Sequence, residues 1–232
     1  MPGRGSVFLG GGGSADEEAA LWDEFAKNGQ RILYWPMALA TKEHAFAQEW
    51  LRSSLAPRGA FDVMMWSSLA GHNPDELVGF DLIFIGGGNT YALLDEVQRH
   101  RFLEPVRQFI ANGGSLYGGS AGAVLAGADI GTAEPFDSND VGIKDTSALN
   151  LLHGASLQPH YELIHAERLG RYVAKTSATV IAIPERGGVV VRDDVALNVG
   201  PEPVAIFRPG VHQVVSAGES WTLSTPLRRV AT

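Results

Sequence analysis

The sequence predicts an α/β fold: a mostly parallel central sheet with helices on both faces, and additional antiparallel strands at the C-terminus. Three observations carry this reading. Short β-rich runs alternate with helical patterns through the first three quarters of the chain. Two of those runs, DLIFI (81–85) and SLYG (115–118), are almost continuously apolar, as strands buried on both sides must be. After residue 176 the runs TVIAIP, GVVVR, VALNVG, VAIFRP, HQVVSA and SWTLS follow one another with no helical pattern between them, so the last quarter is expected to extend the parallel core as antiparallel or mixed sheet.

In chain order, SVFLG is a strand and ADEEAALWDEFAKNG a helix; RILYWPM is followed by the helical KEHAFAQEWLRSSL. FDVMMW and DLIFIGG are strands, NTYALLDEVQ and FLEPVRQFIANG helices, SLYGG a strand and SAGAVLAGA a helix. The one long polar stretch, ADIGTAEPFDSNDVGIKDTS (128–147), reads as a loop, and a loop of that length in a compact domain is usually functional or mobile.

A length of 232 residues suits one sizeable core and is short for two domains, so 1–232 reads as a single α/β domain. The net charge of −8, with no Lys/Arg run to offset it, argues against nucleic acid and an anionic membrane surface as partners and leaves small molecules or short peptides. Cysteine is absent, so disulfides, thiolate metal sites and a cysteine nucleophile are excluded together. The N-terminal MPGRGSVFLGGGGSADEE lacks the pattern of a signal peptide, and no run of about 18 apolar residues occurs, so a soluble cytoplasmic protein is expected. The strand-rich C-terminus offers edges for a homodimer.

The run YGGSAGA (117–123) follows a buried strand and sets Ser120 among small residues, where a sharp strand-to-helix turn would present its hydroxyl. The same pattern also fits a tight turn with no chemistry. Glycine clusters close two other strands, FLGGGGS (8–14) and FIGGGNT (84–90). Such turns either bind an anion through backbone N–H groups or simply turn; neither fits a dinucleotide fingerprint, and no cofactor is expected. If DLIFI and SLYG are adjacent, the Gly88 and Ala121 N–H groups emerge at one sheet edge as the two donors an oxyanion needs. Asn89 reads as a helix cap and as a candidate substrate-binding residue.

A serine needs a base, usually histidine. Of seven histidines, His44 and His100 lie on charged helical stretches and read as surface residues, and His165 falls at a helix start. His160 closes the strand-like SLQPH, at an end where a catalytic side chain would project. For the acid that orients the base, Glu185 in the turn PERGG ranks ahead of Asp137 and Asp140 in the polar loop. The aspartates would give the chain order of an α/β-hydrolase esterase, although only 40 residues separate Ser120 from His160.

FIGGGNT, GGSAGA, ALNLLHGASLQPHY and TVIAIPE fall in the order and rough spacing of the peptidase E family of aspartyl dipeptidases, relatives of cyanophycinase. The resemblance covers about residues 80–207, and the N-terminal third matches in pattern only. It implies a fold like the class I glutamine amidotransferases, a triad of Ser120, His160 and Glu185, oxyanion donors at Gly88 and Ala121, and hydrolysis of short peptides through an acyl-enzyme without a metal. It also implies an arginine after the histidine that holds an N-terminal aspartate, for which Arg168 and Arg171 are the candidates. Two departures, a shorter segment HYELIHAERLGRYV and Gly119 in place of a bulky aromatic, bear on that Asp-X preference. The alternatives are a family member without Asp-X activity and a small-ligand-binding module.

Overall fold

A computed structural model describes residues 3–27 and 30–223. In chain order the elements are β1 (Val7–Gly10), α1 (Ala19–Phe25), β2 (Arg31–Trp35), α2 (His44–Leu55), β3 (Asp62–Met65), β4 (Leu82–Ile85), α3 (Thr90–Arg99), α4 (Leu103–Ala111) and β5 (Ser115–Gly119). They continue with α5 (Ala121–Ala126), β6 (Ala155–Gln158), α6 (Ala166–Thr176), β7 (Thr179–Ala182), β8 (Gly188–Arg192), β9 (Val195–Asn198), β10 (Val204–Arg208), β11 (Val211–Val215) and β12 (Ser220–Thr222).

An eight-stranded sheet runs in the order β12-β9-β8-β1-β5-β4-β2-β3. Its five strands from β1 to β3 are mutually parallel, and β8, β9 and β12 add on antiparallel beyond β1. The late strands do not all extend this sheet, as the sequence leads one to expect. A separate four-stranded sheet, β11-β10-β7-β6, gathers the rest. The reason is geometric: β8 takes the open edge of β1, so β6 and β7 pair in parallel with each other, and α5 lies between β5 and β6.

The pleat sorts the core by face. On one face the register sets Phe8, Tyr117, Phe84 and Tyr34 side by side across β1, β5, β4 and β2, under α1 and α2. On the other, Leu9, Leu116, Ile83 and Leu33 pack with α3, α4 and α5. A third cluster seats Leu169 and Val173 of α6 on Val180, Ala205 and Phe207. Two sequence expectations change here. His44 is not a surface residue: it is 5% exposed, with Nε2 3.3 Å from the Leu39 carbonyl, because it opens α2 on the packed side of that helix. The 128–147 stretch is pinned rather than loose, since Asp129 accepts from Gly131 N–H and Thr146 Oγ1 and Gln98 donates to the carbonyls of Asp145 and Ser147. Among the described residues no helix is long and apolar enough to cross a membrane.

Candidate active site

Ser120 joins β5 to α5 with φ 50° and ψ −114°, a backbone conformation that costs a non-glycine residue strain and turns its side chain out of the chain path. The glycines that make the turn feasible are those two residues away on either side. A Cβ at Gly118 would lie 2.4 Å from the Gly122 carbonyl oxygen, and one at Gly122 would lie 2.3 Å from that of Ile85. Gly119 has another role: a Cβ there would meet the Tyr117 hydroxyl at 2.9 Å.

His160 follows β6 after Pro159 and also sits at positive φ, 49°. Its Nε2 lies 2.9 Å from Ser120 Oγ. Glu185, in the turn after β7, brings Oε2 to 3.4 Å from His160 Nδ1, an ion-pair distance long for a hydrogen bond. With the imidazole proton on Nδ1, facing the carboxylate, Nε2 accepts from the serine hydroxyl. Such a pair can take the serine proton as the oxygen attacks a carbonyl.

The glycine loop after β1 seats this pair. Gly11 O accepts the His160 backbone N–H at 2.8 Å, Gly13 N–H donates to Glu185 O at 3.0 Å, and Gly12, at φ 107°, passes directly against the imidazole. Beneath the loop, Glu18 is 2% exposed. Its Oε1 accepts from the N–H groups of Gly12 and Gly13 at 2.8 and 3.1 Å, and its Oε2 from the Tyr117 hydroxyl at 2.7 Å. Burial raises the Glu18 carboxyl above its ordinary range, against the lowering effect of these hydrogen bonds. Reading the sequence missed Glu18 and the contact this loop makes with His160. FLGGGGS signals a turn that could receive an anion, but not that its neighbour is a side chain from 148 residues further on.

Two cavities meet at Ser120 and His160, which line both. The smaller, about 260 Å³, holds Gly88, Ala121, Phe136, Asp137 and Gln158. The N–H groups of Gly88 and Ala121 have no hydrogen-bond partner among the described residues. Gly88 must be glycine, because its φ is 132° and a Cβ would fall 2.2 Å from the Ala38 carbonyl oxygen. The larger cavity, about 650 Å³, is floored by Tyr34, Phe84 and Tyr117 and walled by Phe46 and Trp50 of α2. Burial pushes the Tyr34 hydroxyl up to about 12.

The other predicted site residues separate into near and far. Asp137 accepts the Thr90 N–H at 2.8 Å and so caps α3, and Asp140 accepts from Ser138 Oγ; Glu185 is the acid facing His160 Nδ1. Asn89 is spent structurally: Oδ1 accepts from Ala92 N–H and Nδ2 donates to Ser138 O, each side chain dipole having an ideal partner at the helix start. Arg171 points away into an exposed ion pair with Glu167. Arg168 stays close, donating to Gln158 Oε1 at 2.7 Å with its guanidinium 5.0 Å from the Phe136 ring centroid, and both of those partners line the smaller cavity. Desolvation draws its pKa down from the ordinary arginine value. No cluster of His, Asp and Glu suited to a metal ion occurs among the described residues.

The model of peptidase family S51 matches residues 7–199. The chain belongs to peptidase family S51. The match takes in the N-terminal strand and its glycine loop, which the sequence motifs from residue 80 onward left out. Among curated relatives, peptidase E of Haemophilus influenzae (strain PittGG) is 29% identical over 55% of this chain, and peptidase E of Shewanella sp. (strain W3-18-1) 33% over 55%. The chain spans 57% of the length of each of these two. An uncharacterized peptidase of Pasteurella multocida is 28% identical over 70% of this chain and 81% of its own. A crystal structure of a peptidase E protein from Listeria monocytogenes aligns with a TM-score of 0.69 at 27% identity, over 85% of this chain and 98% of that one. A peptidase from an acI-B1 actinobacterium shares the fold, with a TM-score of 0.70 at 22% identity over 94% of this chain and 97% of that one.

Proposed function

We propose that the protein is a serine peptidase of short peptides in which Ser120 is the nucleophile, His160 the general base and Glu185 the residue that orients the imidazole. The observation that carries this is the 2.9 Å approach of Ser120 Oγ to His160 Nε2 at a strained strand-to-helix turn. Membership of peptidase family S51 supports the reaction class.

In this reading Ser120 Oγ attacks the peptide carbonyl as its proton passes to His160 Nε2. The negative charge that develops on the carbonyl oxygen is met by the unpartnered N–H groups of Gly88 and Ala121. His160 then gives its proton to the leaving amine, and an acyl-enzyme remains on Ser120. Water, deprotonated by the same imidazole, attacks the ester, and the carboxylic acid leaves with Ser120 restored.

The acyl residue lies in the smaller cavity, beside those donors. For an Asp-X preference Arg168 is the cation this cavity offers, at its rear behind Gln158 and Phe136. A catalytically idle, ligand-binding member of the family is the competing reading. Incubation with Asp-X, Asn-X and Ala-X dipeptides decides among them. Ser120-dependent hydrolysis of any peptide is expected; an Asp-X advantage that Arg168→Met removes identifies the acidic preference, and no turnover of any peptide would overturn the peptidase assignment.

A further inference from the structure

The larger cavity beside Ser120 has a chemistry of its own. The in-register row Tyr34, Phe84 and Tyr117 forms an aromatic floor, with Phe84 and Tyr117 stacked at 4.2 Å between centroids and Tyr34 edge-on to Phe84 at 5.7 Å. Phe46 and Trp50, one helical turn apart on α2, wall it; Phe46 is 78% exposed and Trp50 38%, so together they put apolar surface at the mouth of the cavity. Gly119 leaves the floor open between Tyr117 and the nucleophile, because any Cβ there would enter the space at the Tyr117 hydroxyl. At the rim Lys42 makes no hydrogen bond or ion pair among the described residues, whereas the carboxylate of its neighbour Glu43 already accepts the Ala40 N–H at 3.1 Å. A volume of about 650 Å³ lies within the usual range of sites for small organic ligands.

Direction follows from the proposed function. Gly88 and Ala121 line the smaller cavity and take the carbonyl oxygen, and the proposed function seats the acyl residue there too, in front of Arg168. The leaving amine then departs on the opposite side of Ser120, where His160 is still within reach because it lines both spaces. Resting on the peptidase reading above, we infer that the larger cavity takes the leaving residue of a short peptide, an aromatic or large aliphatic amino acid whose free α-carboxylate pairs with Lys42. The substrate class is thus a dipeptide ending in a large apolar residue.

The test compares Ala-Phe, Ala-Gly and Ala-Phe-amide, with the matching Asp series, on the wild-type enzyme. It is paired with calorimetric binding of Ala-Phe and Ala-Gly to Ser120→Ala, which needs no turnover. Expected are a roughly tenfold or greater kcat/KM advantage of Phe over Gly, from burial of the ring, and an advantage of free acid over amide that Lys42→Gln reduces about fivefold. Phe46→Ala, at an exposed position, should shrink the Phe advantage. Equal handling of Phe and Gly, or a Lys42→Gln variant that treats acid and amide as the wild type does, would overturn the inference. If no peptide is cleaved yet Ser120→Ala binds Ala-Phe in preference to Ala-Gly, the cavity assignment stands and the peptidase reading falls. If cleavage occurs without preference, the reverse holds.

Discussion

Gly12 lies so close to His160 that a Cβ on it would sit 2.2 Å from the imidazole Cε1 and 2.3 Å from Nε2. The ring that faces Ser120 is therefore placed by contact with a backbone from the far end of the chain as well as by its own strand. Gly12→Ala should push the imidazole off the serine. Displacements near 1 Å cost about 100-fold in rate, so kcat should fall by about that factor while the melting temperature drops only modestly. Parallel kinetics and thermal unfolding check this.

Glu18 carries a pH signature. Because burial raises its folded-state pKa, the folded protein holds this proton more tightly than the unfolded chain does. Its contribution to stability is therefore full below the unfolded value of about 4.3 and is lost as pH rises through the folded value. Glu18→Gln keeps an acceptor for Gly12 and Gly13 and removes the titration. Urea unfolding between about pH 4 and pH 7 should show wild-type stability declining, relative to the variant, as pH rises; parallel curves would contradict this.

The acids can be told apart by kinetics and stability together. Glu185→Gln should lower kcat by about 100-fold or more if the carboxylate holds the tautomer of His160, with little change in stability at so exposed a position. Asp140→Asn should leave turnover unchanged. Asp137→Asn should cost about 1 kcal/mol of unfolding free energy, since it weakens the cap on α3.

Gly122→Ala sets a methyl group against the Ile85 carbonyl oxygen, where the rigid strand cannot give way. Destabilisation on the order of 2–3 kcal/mol is expected, measured by chemical denaturation.

Much of this was legible in the chain. The parallel core follows from alternating strands and helices, and Gly118-x-Ser120-x-Gly122 marks the elbow because small residues are the only ones that fit where α5 crosses β4 and β5. The strand-end positions of His160 and Glu185 could also be read, since local patterns end there. What could not be read depends on pairing across long stretches of sequence. Nothing local says that β6 and β7 leave the main sheet, that Gly11 and Gly12 seat a histidine, or that Glu18 is drawn under that loop. Asn89 caps α3 as its place after FIGGG suggests, whereas only the geometry at Thr90 shows that Asp137 caps the same helix, because the side chains that contact ligands are also those that cap helices.

Whether Ser120 is an activated nucleophile is the central claim, and covalent capture tests it most directly. A peptidyl diphenyl phosphonate, analysed by intact mass and peptide mapping, should phosphonylate Ser120 once per chain with loss of phenoxide. The reaction should be absent in Ser120→Ala and strongly slowed in His160→Ala. An unmodified wild-type protein, or an adduct on any other residue, would contradict the account.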